Sequence, residues 1–118
     1  MSTTQSPLDT ARVEELAELF GDKETLLELF DEFLQECPAR LQTMRQGLAT
    51  HKPDLIDSGA HAMKDSSANL GAVGIQETAT LIEDLARTNH LEDVGGFLDQ
   101  LEVEIQRLNE HLQLYGLD

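Results

Sequence analysis

Between Leu26 and Leu48 an apolar stripe runs through Leu26, Phe30, Phe33, Cys37, Leu41, Met44 and Leu48. Steps of three and four residues over the whole run give one face of an α-helix and fit no strand. A stripe this long must be covered by other helices, which commits the chain to helix-on-helix packing. Pro38 falls inside the stripe. The phase carries on through it, so the spacing predicts one helix, bent by a missing hydrogen bond and a ring clash. Two helices meeting at Pro38 are the alternative.

The remaining segments read the same way. Residues 1–7 are expected to form a flexible tail, and residues 8–118 a single helical domain. Val13, Leu16 and Phe20 mark a short first helix from Leu8 to Phe20, which Gly21 stops and after which Asp22 caps the next. Pro53 suits a first helical position and Asp54 a helix start, so a third helix runs from there to Leu70, ended by Gly71. A fourth is expected over Val73–Thr88, with Ile75, Ala79, Ile82 and Leu85 inward. Asn89 and His90 form a turn. The last helix carries Val94, Phe97, Leu98, Leu101, Ile105, Leu108 and Leu112, and Gly95-Gly96 weakens its first turn. The fold class is therefore all-α: an antiparallel up-down four-helix bundle with an additional short N-terminal helix.

Composition narrows the function. The formal net charge of −15 argues against nucleic acid and anionic membranes, since phosphate backbones need clustered Lys and Arg. A single cysteine excludes an intrachain disulfide and makes a cytoplasmic location the default expectation. The N-terminus has no signal-peptide pattern, and no run approaches the roughly 18 apolar residues of a membrane span. The Met start and polar tail suggest a free-standing protein, and no dimer seam stands out, so a monomer is expected.

The stretch AHAMKDSSANLGA, residues 60–72, carries the chemistry. The inward set of the third helix is Ile56, Gly59 or Ala60, Met63, Ser67 and Leu70. His61 lies about 100° round from Ala60 at ~3.6 residues per turn, on a polar stripe with Asp57, Lys64, Asp65 and Ala68. A lone histidine is commonly a half-buried structural residue, but this one sits mid-helix on the polar face. Close packing accounts for Gly59, Ala60 and Ser67. It does not account for Ala62, Ser66 and Ala68, which leave room for another protein to reach the ring.

If the third and fourth helices form a hairpin turning near Ala72, Glu83 faces His61 and Arg87 lies one turn further on. Glu83 would then fix the tautomer and leave the other ring nitrogen as nucleophile. Lys64 and Arg87 would sit beside an anion on His61. An ordinary solvated surface is the alternative for Glu83 and Arg87. No zinc spacing and no phosphate-binding loop occur, so neither metal nor cofactor is expected. An exposed, cation-flanked histidine can carry a phosphoryl group but has little with which to catalyse its transfer alone.

The run His61-Ala-Met63-Lys64-Asp65-Ser66-Ser67-Ala-Asn-Leu70-Gly71 resembles the signature of the histidine phosphotransfer (HPt) domain family. That signature is roughly His-x-(Leu/Met)-Lys-(Gly/Ser)-(Ser/Ala)-(Ser/Ala)-x-x-(Leu/Ile/Val)-Gly. The resemblance extends from about residue 20 to 112, through GDKETLLELFDEFLQECPARLQTM and LIEDLAR. It implies a phosphocarrier, not an enzyme. His61 takes a phosphoryl group from the aspartate of one receiver domain and passes it to another, in a relay with a (hybrid) histidine kinase. The receiver supplies Mg²⁺ and most of the catalytic apparatus. Lys64 balances phosphate charge, Arg87 matches a basic position of some members, Ser66 and Ser67 are packing positions, and Gly71 ends the helix. Asp57, Asp65, Ala68, Glu83 and Arg87 fall on the implied docking surface around His61.

Asp65 departs from the family, which has a small neutral residue there. A carboxylate at i+4 would repel a phosphoryl group on His61 and favour the protonated, non-nucleophilic ring. Lys64 and solvent screening offset part of this. Altered transfer kinetics or partner choice is the expectation. A docking module that binds a receiver or kinase without carrying phosphate is the alternative, with a plain acidic adaptor behind it.

Overall fold

The computed structural model describes residues 6–117. Five α-helices follow one another: α1 (Thr10–Phe20), α2 (Lys23–Ala49), α3 (Pro53–Leu70), α4 (Val73–Arg87) and α5 (Val94–Tyr115). A single 3₁₀ turn, Leu91–Asp93, leads into α5. Helices α2 to α5 close a ring in which each packs on its sequence neighbours and α5 returns to α2, while α1 rests on α2 and α3. This is the expected bundle with its extra N-terminal helix. Of the expected tail, residues 1–5 lie outside the described residues, and Pro7 is buried.

Helix α2 runs unbroken through Pro38, so the two-helix alternative is excluded. The ring is exposed, while Leu26, Phe30, Phe33, Cys37, Leu41 and Met44 on the predicted face are all buried. Asp22 caps this helix, its Oδ1 accepting from the Thr25 N–H at 2.6 Å, and that bond holds the Asp22 carboxyl below the usual range. Buried Cys37 has its thiol pushed up to about 12, mainly by desolvation.

Helix α1 starts at Thr10, two residues later than expected, because Asp9 is its cap: Oδ1 accepts from the Ala11 and Arg12 N–H groups. Phe20 departs from the predicted inward stripe and is 43% exposed. It is the last residue of its helix, and the left-handed Gly21 turns the chain away before a neighbour covers it.

The turn between α3 and α4 is fixed from two sides. Gly71 adopts φ 76°, the left-handed conformation that ends α3 at little cost only for glycine. Its carbonyl accepts from the Asp9 N–H at 2.8 Å, tying the start of α1 to the hairpin. The core is aliphatic: Ile56, Ala60 and Met63 of α3 meet Ile75, Ala79 and Ile82 of α4 inside the ring. Helix α3 packs more extensively on α4 than any other pair of helices packs. That seam carries the candidate site.

Candidate functional site

His61 projects from the outer face of α3 with its side chain 51% exposed. Its inner neighbours explain the direction. Ala60 and Met63 are buried against the core, and Ser67 is buried with its hydroxyl donating to the Met63 carbonyl at 2.6 Å. A helix that buries positions 56, 59, 60, 63 and 67 must turn position 61 outward.

Glu83 is the centre of the site. It reaches the same seam from α4 and is only 2% exposed, which excludes the solvated-surface alternative for it. Its Oε2 lies 2.7 Å from His61 Nδ1 and 3.0 Å from Arg87 Nη2, and its Oε1 accepts from Lys64 Nζ at 2.7 Å. Burial pushes the Glu83 carboxyl up. The hydrogen bonds from Lys64 and His61 and the charges of Lys64 and Arg87 outweigh it, so the net shift is downward. Glu83 is thus a carboxylate and can only accept, so the proton on this edge of the ring belongs to Nδ1. Nε2 is left on the outward edge.

The two cations are engaged. The expectation placed Lys64 and Arg87 beside an anion on His61. Lys64, 28% exposed, donates from its ammonium to Glu83. Arg87, 55% exposed, bridges Glu83 and Asp57, donating from Nε to Asp57 Oδ1 at 3.1 Å. Asp57 therefore positions Arg87 as well as lying on the outer stripe. The hairpin argument contained this pair, since Asp57 and Arg87, like His61 and Glu83, are equidistant from the Gly71–Ala72 turn. Asp65 is also on the outer face, its Oδ2 3.1 Å from His61 Nε2. Ala62, Ser66 and Ala68 are half-buried, Ser67 is fully buried, and Gly71 ends the helix.

A shallow open depression, lined by Asp54, Asp57, Ser58, His61, Ala62 and Arg87, lies beside the ring on the side away from Asp65. It is a surface, not a substrate pocket. Among the described residues no group of His, Cys, Asp and Glu is arranged to hold a metal ion. No helix among them is long and apolar enough to cross a membrane.

Sequence reasoning missed a second buried carboxylate, Glu104 of α5, which accepts from Arg107 at 2.7 Å and Gln100 at 2.8 Å. Its spacing from Leu101 and Leu108 places it on the inward face, but no motif singles it out.

In the seam of α3 and α4 an outward imidazole is held from behind by a buried carboxylate. The family model of the Hpt domain matches residues 28–111. The chain belongs to the Hpt domain family. A solved structure of the histidine-containing phosphotransfer protein B (HptB) from Pseudomonas aeruginosa PAO1 is similar to this Hpt domain, at 26% identity and a TM-score of 0.80. The match covers 92% of this chain and 96% of that one, so the likeness extends over nearly the whole of each. No match is found among curated protein sequences.

Proposed function

We propose that this Hpt domain is a histidine phosphotransfer protein of a phosphorelay, with Nε2 of His61 as the phosphoaccepting atom. It receives the phosphoryl group from the aspartate of a receiver domain and passes it to another receiver. The observation that carries the reading is the 2.7 Å contact between Nδ1 and the buried Glu83 carboxylate. With the proton fixed on Nδ1, the free lone pair belongs to Nε2, on the exposed edge of the ring.

In the transfer, the Nε2 lone pair attacks phosphorus and the P–O bond to the aspartyl oxygen breaks. The electron pair leaves with the carboxylate. The ring becomes positively charged as the N–P bond forms, because Nδ1 keeps its proton. Glu83 already stands at that edge with a negative charge, so it stabilises the charge that develops. Lys64 and Arg87 hold Glu83 in place, and Arg87 retains exposed N–H groups beside the depression. Together these groups position and balance charge. In this reading the partner receivers bring most of the catalytic apparatus.

The test is phosphoryl uptake. The protein is incubated with a receiver domain phosphorylated on its aspartate, and acid-labile, alkali-stable phosphate is measured on wild type and on His61→Gln. Label on wild type alone is expected. A second reading, a docking module that carries no phosphate, is favoured by the Asp65 carboxylate 3.1 Å from Nε2. Receiver binding without label on either protein would replace the first reading by the second.

A further inference from the structure

Most of the charges around His61 are paired with one another. On α4, Glu83 and Arg87 face the ring; on α3, Asp57, Lys64 and Asp65 do. Lys64 and Arg87 offset Glu83 and Asp57, each through a contact of 2.7–3.1 Å. That leaves two carboxylates, Asp54 at the edge of the depression and Asp65, and of these Asp65 is the one in contact with the ring. Its side chain is 58% exposed, and its ion-pair contact among the described residues is with His61 itself, at Nε2.

That position has two consequences for the reactive nitrogen. With a proton on each nitrogen the ring satisfies both carboxylates, Glu83 at one edge and Asp65 at the other, but has no lone pair for phosphorus. With Nε2 deprotonated, the lone pair faces a carboxylate across the path that an incoming phosphoryl group must take. Both states oppose attack on a free, negatively charged phosphodonor. The contact is nonetheless an exposed i,i+4 pair, which is weak and easily drawn apart.

We infer that Asp65 is a gate on Nε2 that discriminates against free anionic phosphodonors. The inference rests on His61 being the phosphoacceptor. A docked partner that places a cation near Asp65 removes the barrier, whereas a small phosphodonor in solution brings only more negative charge. Asp65 is thus a specificity determinant for the source of the phosphoryl group, acting through charge and not through contact with the core.

The probe is phosphoramidate, a small anionic donor that needs no partner protein. In its reaction the Nε2–P bond forms and the donor P–N bond breaks; the donor reacts with its nitrogen already protonated, so ammonia leaves with that electron pair and needs no further proton. Labelling rates are measured for wild type, Asp65→Asn, Asp65→Glu and His61→Gln, at low salt and at 1 M salt, with folding checked by circular dichroism. One carboxylate about 5 Å from an incoming singly charged anion in high dielectric predicts labelling of Asp65→Asn about fourfold faster than wild type at low salt. The advantage should nearly vanish in 1 M salt, where the screening length falls to about 3 Å. Asp65→Glu, which keeps the charge, should stay close to wild type, and His61→Gln should take no label.

Equal rates for wild type and Asp65→Asn, with label still confined to His61, would overturn the gate and leave the phosphoacceptor intact. A salt-independent advantage for Asp65→Asn would also overturn it, by assigning the effect to shape. Absence of label from every protein, Asp65→Asn included, would overturn the gate, whereas uptake from a phosphorylated receiver judges the phosphoacceptor separately.

Discussion

Replacing Glu83 by Gln is the sharpest test of the site's physical basis. The side chain keeps its volume but loses its charge, and one of its two terminal oxygens becomes an N–H donor. That donor must face either Lys64 or the His61–Arg87 edge, all of which are donors themselves. Hydrogen bonds to charged groups contribute about 1.5–3 kcal/mol each, and breaking a fully buried ion pair costs about 3–5 kcal/mol. The upper figure does not apply, because His61 and Arg87 are half exposed and regain water. Only Lys64, at 28%, is largely covered. A loss of about 2 kcal/mol follows, equivalent to roughly 6–10 °C in Tm for a domain of this size. Urea and thermal unfolding of both proteins from pH 7 downward measure it. The Glu83 carboxyl is held below its ordinary value, so its stabilisation is complete above the unfolded value of about 4.3 and is lost as pH falls through the lower folded value. The gap between wild type and Glu83→Gln should begin to close at about pH 4.3 and shrink as the pH falls toward the lower folded value. A gap under ~0.5 kcal/mol at pH 7, or one that widens in acid, would refute the account of Glu83 as an ionised hub.

Two further outcomes follow from packing. A Cβ on Gly74 would land on the Glu104 carboxylate, which Arg107 and Gln100 hold in place, so Gly74→Ala should cost about 1–2 kcal/mol despite better helix propensity, and adding Glu104→Ala should remove that penalty in a double-mutant cycle read by urea unfolding. The Cys37 thiol, pushed up to about 12, should resist iodoacetamide in the native protein near pH 8 and react readily once guanidinium unfolds it; equal rates in both states would sink the burial argument.

Much of this was legible in the sequence because helical periodicity is a local signal. The stripe from Leu26 to Met44 is buried as its spacing requires, and Gly71 ends α3 where a left-handed residue was needed. The hairpin argument placed Glu83 opposite His61 from their distance to one turn. What it did not give was burial. Whether Glu83 lies in solvent or in the seam depends on how closely α3 approaches α4, which small residues on both helices permit and no single position announces. The destination of Lys64 was hidden for the same reason. A lysine near a future anion and a lysine bonded to a buried carboxylate occupy the same helical position, and only the depth of Glu83 tells them apart. Glu104 escaped because no motif singles it out, although its spacing from Leu101 and Leu108 puts it in phase with the inward stripe.

The placement of the site within one hairpin also bears on how the chain acquires it. His61 and Glu83 are 22 positions apart, Lys64 and Glu83 19, and Asp57 and Arg87 30, whereas the Arg45–Asp99 link between α2 and α5 spans 54. Closing a shorter loop costs less entropy, so the contacts that orient the imidazole belong to the more local part of the fold. The His61–Glu83 arrangement therefore rests on one antiparallel helix pair and its glycine turn, whereas the link between α2 and α5 spans more than twice that separation.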